Sequence, residues 1–189
     1  MIVAFHNITE NPKTRWEISP EDFARYIYDL IPSDAELEIH FDDARIGVFQ
    51  YALPLLQKHA ELLKPVVFVV PQWVNGFAPP NERYSEFMSW EELRILYKSG
   101  FEIGSHSLTH PNLTMLTKKQ LCREMVNSKE IIKRKIGQGC IINKFAYPYG
   151  VYNEQVINMV KHHYVRAYGI NQPEIITSWN IPRKLIVSE

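Results

Sequence analysis

LEIHFDDARIG, residues 37 to 47, governs how the whole chain is read. A short run of apolar and β-branched residues ends on two adjacent aspartates. Like charges repel, and burying either carboxylate costs several kcal/mol, roughly, unless it is paired or bound to a cation. Asp also opens turns, so in isolation Asp42-Asp43 reads as a turn at a strand end. The residues on either side decide between the two readings.

Working outward, strand-like runs recur: IVAF (2–5), LEIHF (37–41), VVFVV (66–70), FEIG (101–104), INKFAY (142–147), YVRAYG (164–169) and KLIV (184–187). Helical stretches with clear punctuation lie between them. SPEDFARYIYDLI (19–31) has Ser19 as N-cap and Pro20 at the first helical position, with Phe23, Ile27 and Leu30 on one face. SWEELRILYKSG carries a Ser89/Glu92 capping box and ends at Gly100. The third helix starts at Thr117 with Gln120 and stops at Gly137, and NEQVINMVKHH (153–163) is a fourth. Strands alternating with helices at this spacing predict an α/β fold with a parallel sheet, open or closed into a barrel. Function in such folds gathers at the carboxyl ends of the strands. His6-Asn7, Asp42-Asp43, PQWVNG, SHSLTH and PYG follow five successive strands. Most of the unusual chemistry in the chain therefore falls where the fold would use it.

The bulk composition narrows the function classes. The length, 189 residues, fits one domain over 1–189. Lys+Arg and Asp+Glu both number 21, and the one basic stretch, KEIIKRKIG (129–137), reads as the solvated face of a helix. Nucleic acid is not an expected partner. Cys122 and Cys140 make neither a disulfide framework nor a zinc-finger spacing. The longest purely apolar run, VVFVV, is far too short for a transmembrane segment. MIVAFHNI lacks the basic start and cleavage site of a signal peptide. The expected location is cytoplasmic, with a mature or trimmed extracytoplasmic form as the alternative. Oligomeric state leaves no mark in the sequence.

HSLTH sets His106 and His110 four residues apart. On one helical turn both imidazoles would share a face and reach one cation, although two surface histidines at a helix start have the same spacing. A carboxylate from another strand end completes a two-histidine, one-carboxylate set, a usual composition for an open zinc site. Zinc is the expected divalent metal, with cobalt, nickel or iron also compatible. The two aspartates then have different tasks. One binds the metal, and the other takes a proton from water beside it.

FDDA (41–44), HSLTH (106–110) and FAYPYG (145–150), in this order, resemble the polysaccharide deacetylases, the NodB-homology carbohydrate esterases. The resemblance runs from AFHNI to IPRKLIV. It implies an irregular (β/α) barrel of about seven parallel strands and hydrolysis of N-acetyl groups on an amino-sugar glycan. It also implies Asp42 as catalytic base and Asp43, His106 and His110 as metal ligands, with the backbone N–H of Tyr149 in PYG assisting the oxyanion. Three departures stand out. Ala44 replaces the family's glycine, Ala146 stands where an arginine often orients the base, and the tail NIPRKLIVSE lacks the usual histidine acid. In a closed barrel the first and last strands are neighbours, so His6 can fill that histidine's space. It resembles the histidine of a subgroup acting on biofilm poly-N-acetylglucosamine and other bacterial surface glycans. His6 is the expected general acid, and Arg183 the expected replacement for the missing arginine. Trp73, Tyr147, Tyr149 and Trp179 are candidates for sugar contacts, Trp73 first, against the alternative that each is a core aromatic. Residues 76–90 read as a loop over the site. Removal of O-acetyl groups, and a glycan-binding module without chemistry, are the alternative functions.

Overall fold

The computed structural model describes residues 1–30, 37–83, 85–137 and 139–187; Ile31, the last residue of the first helical stretch, lies outside them. Eight strands form one sheet: β1 (Ile2–Phe5), β2 (Glu38–Phe41), β3 (Pro65–Val69), β4 (Glu102–Ser105), β5 (Lys144–Ala146), β6 (Arg166–Gly169), β7 (Ile181–Pro182) and β8 (Lys184–Leu185). Their order is β8-β1-β2-β3-β4-β5-β6-β7, and every neighbouring pair is parallel. The two edge strands are halves of one continuous stretch. Residues 181–182 pair with β6, residues 184–185 pair with β1, and Arg183 sits between them, its N–H donating to the Gly169 carbonyl at 3.0 Å. One terminal segment thus closes the barrel. The sequence pattern shows only its second half, because a two-residue pairing that ends in proline has no visible periodicity.

Side chains alternate along each strand, and the barrel has two cores. Outward residues such as Ile39, Phe41, Val67, Val69, Ile103 and Phe145 pack with the helices in the main cluster. Val66, Phe68, Ala146 and Tyr168 form a separate inner cluster. There His40 of β2 meets Tyr168 of β6 edge-on at 4.6 Å between ring centroids. Three strands separate β2 from β6 in the sheet, so this contact crosses the lumen. Gly104 of β4 makes room for it, since a Cβ there would lie 2.5 Å from the Phe68 ring.

The helices begin where the caps predict. α1 (Pro20–Leu30) follows Ser19, whose Oγ accepts the Asp22 N–H at 3.0 Å. α2 (Trp90–Lys98) and α3 (Lys118–Ile136) carry complete capping boxes at Ser89/Glu92 and Thr117/Gln120, and α4 (Glu154–Lys161) is capped by Asn153. A further helical stretch over 48–63 has no clean pattern in the sequence. It passes through π, α, 3-10 and α turns, because Pro54 supplies no N–H and breaks the regular ladder. Among the described residues, no helix is long and apolar enough to cross a membrane.

Candidate active site

Register sets the two aspartates. Phe5 of β1 lies beside Phe41 of β2, and the Asp42 N–H donates to the Phe5 carbonyl at 2.9 Å. His6 and Asp42 therefore leave adjacent strand ends together. The backbone then turns sharply, with φ of 70° at Asp43 and 58° at Ala44, a left-handed conformation that is uncommon for non-glycine residues. The family's glycine has a physical counterpart here, since Ala44 occupies a glycine-like conformation.

Arg183, at the barrel seam, grips Asp42 with both ends of its guanidinium, Nη1 to Oδ1 at 2.7 Å and Nη2 to Oδ2 at 2.9 Å. Both side chains are buried. Burial works against the Asp42 charge, but Arg183 and then His106 outweigh it and hold the carboxyl below its ordinary 3.8. Arg183 is thus a buried partner of the aspartate and not a surface residue.

His106 and His110 do not share a helix turn. Residues 106–110 form a loop, with positive φ at Ser107 (65°) and His110 (59°). Ser107 Oγ accepts the His110 N–H at 3.0 Å, and Glu124 of α3 accepts the backbone N–H groups of Leu108 and Thr109 at 2.9 and 3.0 Å. The loop brings the two Nε2 atoms within 3.2 Å of each other. These nitrogens lie 3.8 and 3.9 Å from Asp43 Oδ1.

The three residues fit a cation. The ligand atoms of Asp43, His106 and His110 all lie within 4.8 Å of one another. Asp43 Oδ1 is buried without a hydrogen-bond partner. His106 Nδ1 lies 2.7 Å from the Ala146 carbonyl, a contact that needs the proton on Nδ1 and leaves the Nε2 lone pair facing the other two ligands. Burial, then His106, lowers His110 from 6.5 to about 3 and keeps its imidazole neutral, as a metal ligand must be. Burial works against the Asp43 charge, and the permanent charge of the Arg45 guanidinium beside it helps hold the carboxyl below its ordinary range.

His6, Asp42, Asp43, Tyr149 and Arg183 line one cavity of about 200 Å³, joined by Trp16, Glu82, Gly150, Ile170 and Leu185. All the predicted catalytic residues and Asp43 of the ligand set are therefore gathered there. Burial lowers the His6 pKa, while Asp43 and Asp42 pull it back upward. Tyr149 has φ of 58°, and the turn's hydrogen bonds run from Gly150 N–H to Tyr147 and from Val151 N–H to Pro148. The Tyr149 N–H takes no part in them.

The expected sugar platforms fare unequally. Trp73 is 2% exposed and packs against His110 at 4.7 Å, so it buttresses a candidate ligand from behind. Tyr147 is fully buried, its hydroxyl donating to the Trp179 carbonyl. Tyr149 alone of the four is clearly exposed, and it stands beside His110. Three residues of the site have no counterpart in the sequence reading. Trp16 packs on His6 with ring centroids 4.8 Å apart. Arg45 and Glu82 form an ion pair beside Asp43. An arginine two places after the aspartates, within an otherwise apolar run, was the one available signal.

A family model described as polysaccharide deacetylase matches residues 31–168. YxkH of Bacillus subtilis (strain 168) is 28% identical over 129 residues, covering 68% of this chain and 42% of YxkH. The chain thus spans less than half of that relative's length. Among solved structures, the Streptococcus pyogenes deacetylase PplD in complex with acetate is similar at a TM-score of 0.79 and 17% identity, covering 98% of this chain and 91% of PplD. IcaB from Ammonifex degensii is similar at 0.77 and 20%, with coverage of 98% and 91%. The two structures share the barrel, and the family match spans most of the chain between the first strand and the seam, including both motifs that carry the candidate ligands. The chain belongs to the polysaccharide deacetylase family.

Proposed function

We propose that this chain is a metal-dependent deacetylase that hydrolyses N-acetyl groups of an amino-sugar glycan or glycoconjugate. The observation that carries the reading is the pairing of Asp42 with Arg183 beside a second, differently employed aspartate. Asp42 is held ionised and oriented by Arg183 and stands directly beside the Asp43, His106 and His110 cluster, its Oδ2 4.0 Å from His106 Nε2.

Asp43, His106 and His110 would hold a divalent cation, zinc by the composition of the set, which when bound polarises oxygen ligands and makes water more acidic. Asp42 takes a proton from the attacking water, with Arg183 fixing the direction of its oxygens. The water oxygen forms a bond to the acetamide carbon, and the carbonyl oxygen gains negative charge. The Tyr149 N–H donates to that oxygen, a contribution of about 2.7–4 kcal/mol for one well-placed donor. The carbon–nitrogen bond then breaks. His6, at the strand end next to Asp42 in the same cavity, gives a proton to the departing amine, leaving acetate and a free amino sugar. Its lowered pKa makes the imidazolium a readier donor, at the cost of a smaller protonated fraction at neutral pH.

The test is acetate release from acetylated chito-oligosaccharides by purified protein, with zinc or cobalt added and a chelator control. The expected result is metal-dependent release that Asp42→Asn abolishes while leaving metal binding intact. Release retained by a clean Asp42→Asn preparation would remove Asp42 from the role of base. Parallel O-acetyl esters test the oxygen-ester alternative.

A further inference from the structure

Arg45 is completely buried, an unusual place for a guanidinium, whose burial is costly unless charges and hydrogen bonds compensate. Its Nη2 lies 3.3 Å from Asp43 Oδ2 and 3.1 Å from Glu82 Oε2. Its Nη1 donates to the Glu82 carbonyl, and its guanidinium lies over the rings of Phe87 at 4.3 Å and Trp73 at 5.7 Å. The backbone reinforces the arrangement. Arg45 forms an antiparallel bridge with Phe87, Ile46 N–H donates to the Glu86 carbonyl at 2.9 Å, and Met88 N–H donates to the Ala44 carbonyl at 2.8 Å.

These contacts divide the two oxygens of Asp43. Oδ2 accepts from Arg45, and Oδ1 faces the histidines without a hydrogen-bond partner. The contact with the Arg45 guanidinium therefore restrains the rotation of the buried Asp43 carboxylate. The same assembly supports a second ligand, because Trp73, under Arg45, packs against His110. We propose that Arg45 is a positioning residue for the cation site, fixing Asp43 Oδ1 toward His106 and His110, and that Glu82 anchors it there. Metal affinity is then set in part by Arg45 and its partners Glu82 and Phe87, outside the ligand set. This inference rests on the proposed cation site, though not on the identity of the sugar.

The experiment is calorimetric titration of the full chain with zinc, repeated with cobalt and its visible absorption spectrum, on wild type, Arg45→Met and Glu82→Gln. Loss of a residue that orients a metal ligand typically costs about 10–100-fold in affinity. Arg45→Met is expected in that range, with an altered cobalt spectrum. Glu82→Gln keeps the arginine and its fold, and is expected to lose affinity by a smaller factor in the same direction. It keeps the inference testable if Arg45→Met does not fold. Affinity within twofold of wild type in every folded variant, a gain in affinity, or a wild type that binds no cation overturns the inference. Tight metal binding by a wild type that releases no acetate would overturn the proposed reaction and leave the role of Arg45 standing.

Discussion

Arg183→Met tests the coupling between barrel closure and Asp42, the proposed base. The substitution keeps an apolar stem but leaves Asp42 buried without its bidentate partner, two contacts of 2.7 and 2.9 Å. Breaking one side of a buried ion pair costs about 3–5 kcal/mol, because the remaining charge is stranded. Arg183 is also the main influence opposing burial at Asp42, so in the variant the carboxyl pKa rises. The sign follows. Wild-type Asp42 has a depressed pKa, so its stabilisation is present above its ordinary 3.8 and fades as pH falls. In the variant the carboxyl takes up a proton more readily, so the stability gap is widest at neutral pH and narrows in acid. Asp42→Asn alone should cost less, since the amide oxygen still accepts from the guanidinium. The double variant Asp42→Asn/Arg183→Met removes both charges and should lie closer to wild type than Arg183→Met does. Urea unfolding at pH 7 and pH 4, with acetate release measured alongside, reads all of this. A cost below about 1 kcal/mol for Arg183→Met, or a double variant equal to the sum of the singles, would refute the buried-pair account. Recovered stability without recovered activity is the expected signature of a pair that serves chemistry.

His40, in the lumen, is lowered by burial from 6.5 to about 4 despite its contact with Glu38 at 3.1 Å. Folding therefore favours the neutral imidazole, so stability is lost as pH falls from about 6.5 to about 4, amounting to about 3 kcal/mol at about 1.36 kcal/mol per pKa unit. His40→Phe should flatten the unfolding free energy across that window, and an unchanged slope would count against it. His6→Ala should reduce acetate release while leaving zinc affinity unchanged; a fall in zinc affinity would instead put His6 among the ligands. Free zinc at about a hundredfold above Kd should stabilise wild type by about 2.7 kcal/mol, an effect that thermal melts should lose in His106→Ala.

The parallel barrel was legible because its signals are local. Apolar runs such as VVFVV and caps such as Ser89/Glu92 report on their own neighbourhoods, and each formed where it was expected. What escaped reading depended on distant partners. The edge strand Ile181–Pro182 exists only because β6 receives it. The stretch over 48–63 is helical despite Pro54 because Val48, Ala52, Leu53 and Leu56 are buried in the main core. At the site, position after a strand picked out Asp42, Asp43, His106 and His110, but the helical rationale for the histidine pair was wrong. Positive φ at Ser107 and His110 brings the rings together, and such angles on residues other than glycine leave no trace in composition. Trp73 misled for a related reason. It lies in a segment following a strand, as a sugar platform would, but the segment folds it inward against His110.

Adjacent aspartates at a strand end raise a question that sequence poses and three-dimensional structure answers. Alternation along a strand would by itself send the two side chains to opposite faces, one into the lumen and the other into the helical layer. The turn prevents that separation, because the left-handed backbone at Asp43 keeps both carboxylates at the same cavity. Repulsion between them is then offset locally and separately. Asp42 has Arg183, delivered by the segment that closes the barrel, and Asp43 has Arg45, only two residues further along its own turn. Each arginine contacts one aspartate, so the carboxylates share a space without sharing a counter-ion. That separation lets each carboxylate be oriented on its own, Asp42 by Arg183 and Asp43 with Oδ1 toward two imidazoles. A single arginine bridging both would neutralise the pair equally well, but it would tie their orientations together. The paired aspartates therefore depend on two separate features of the fold, the barrel seam that delivers Arg183 and the turn that carries Arg45 against Glu82, and each can be perturbed without the other.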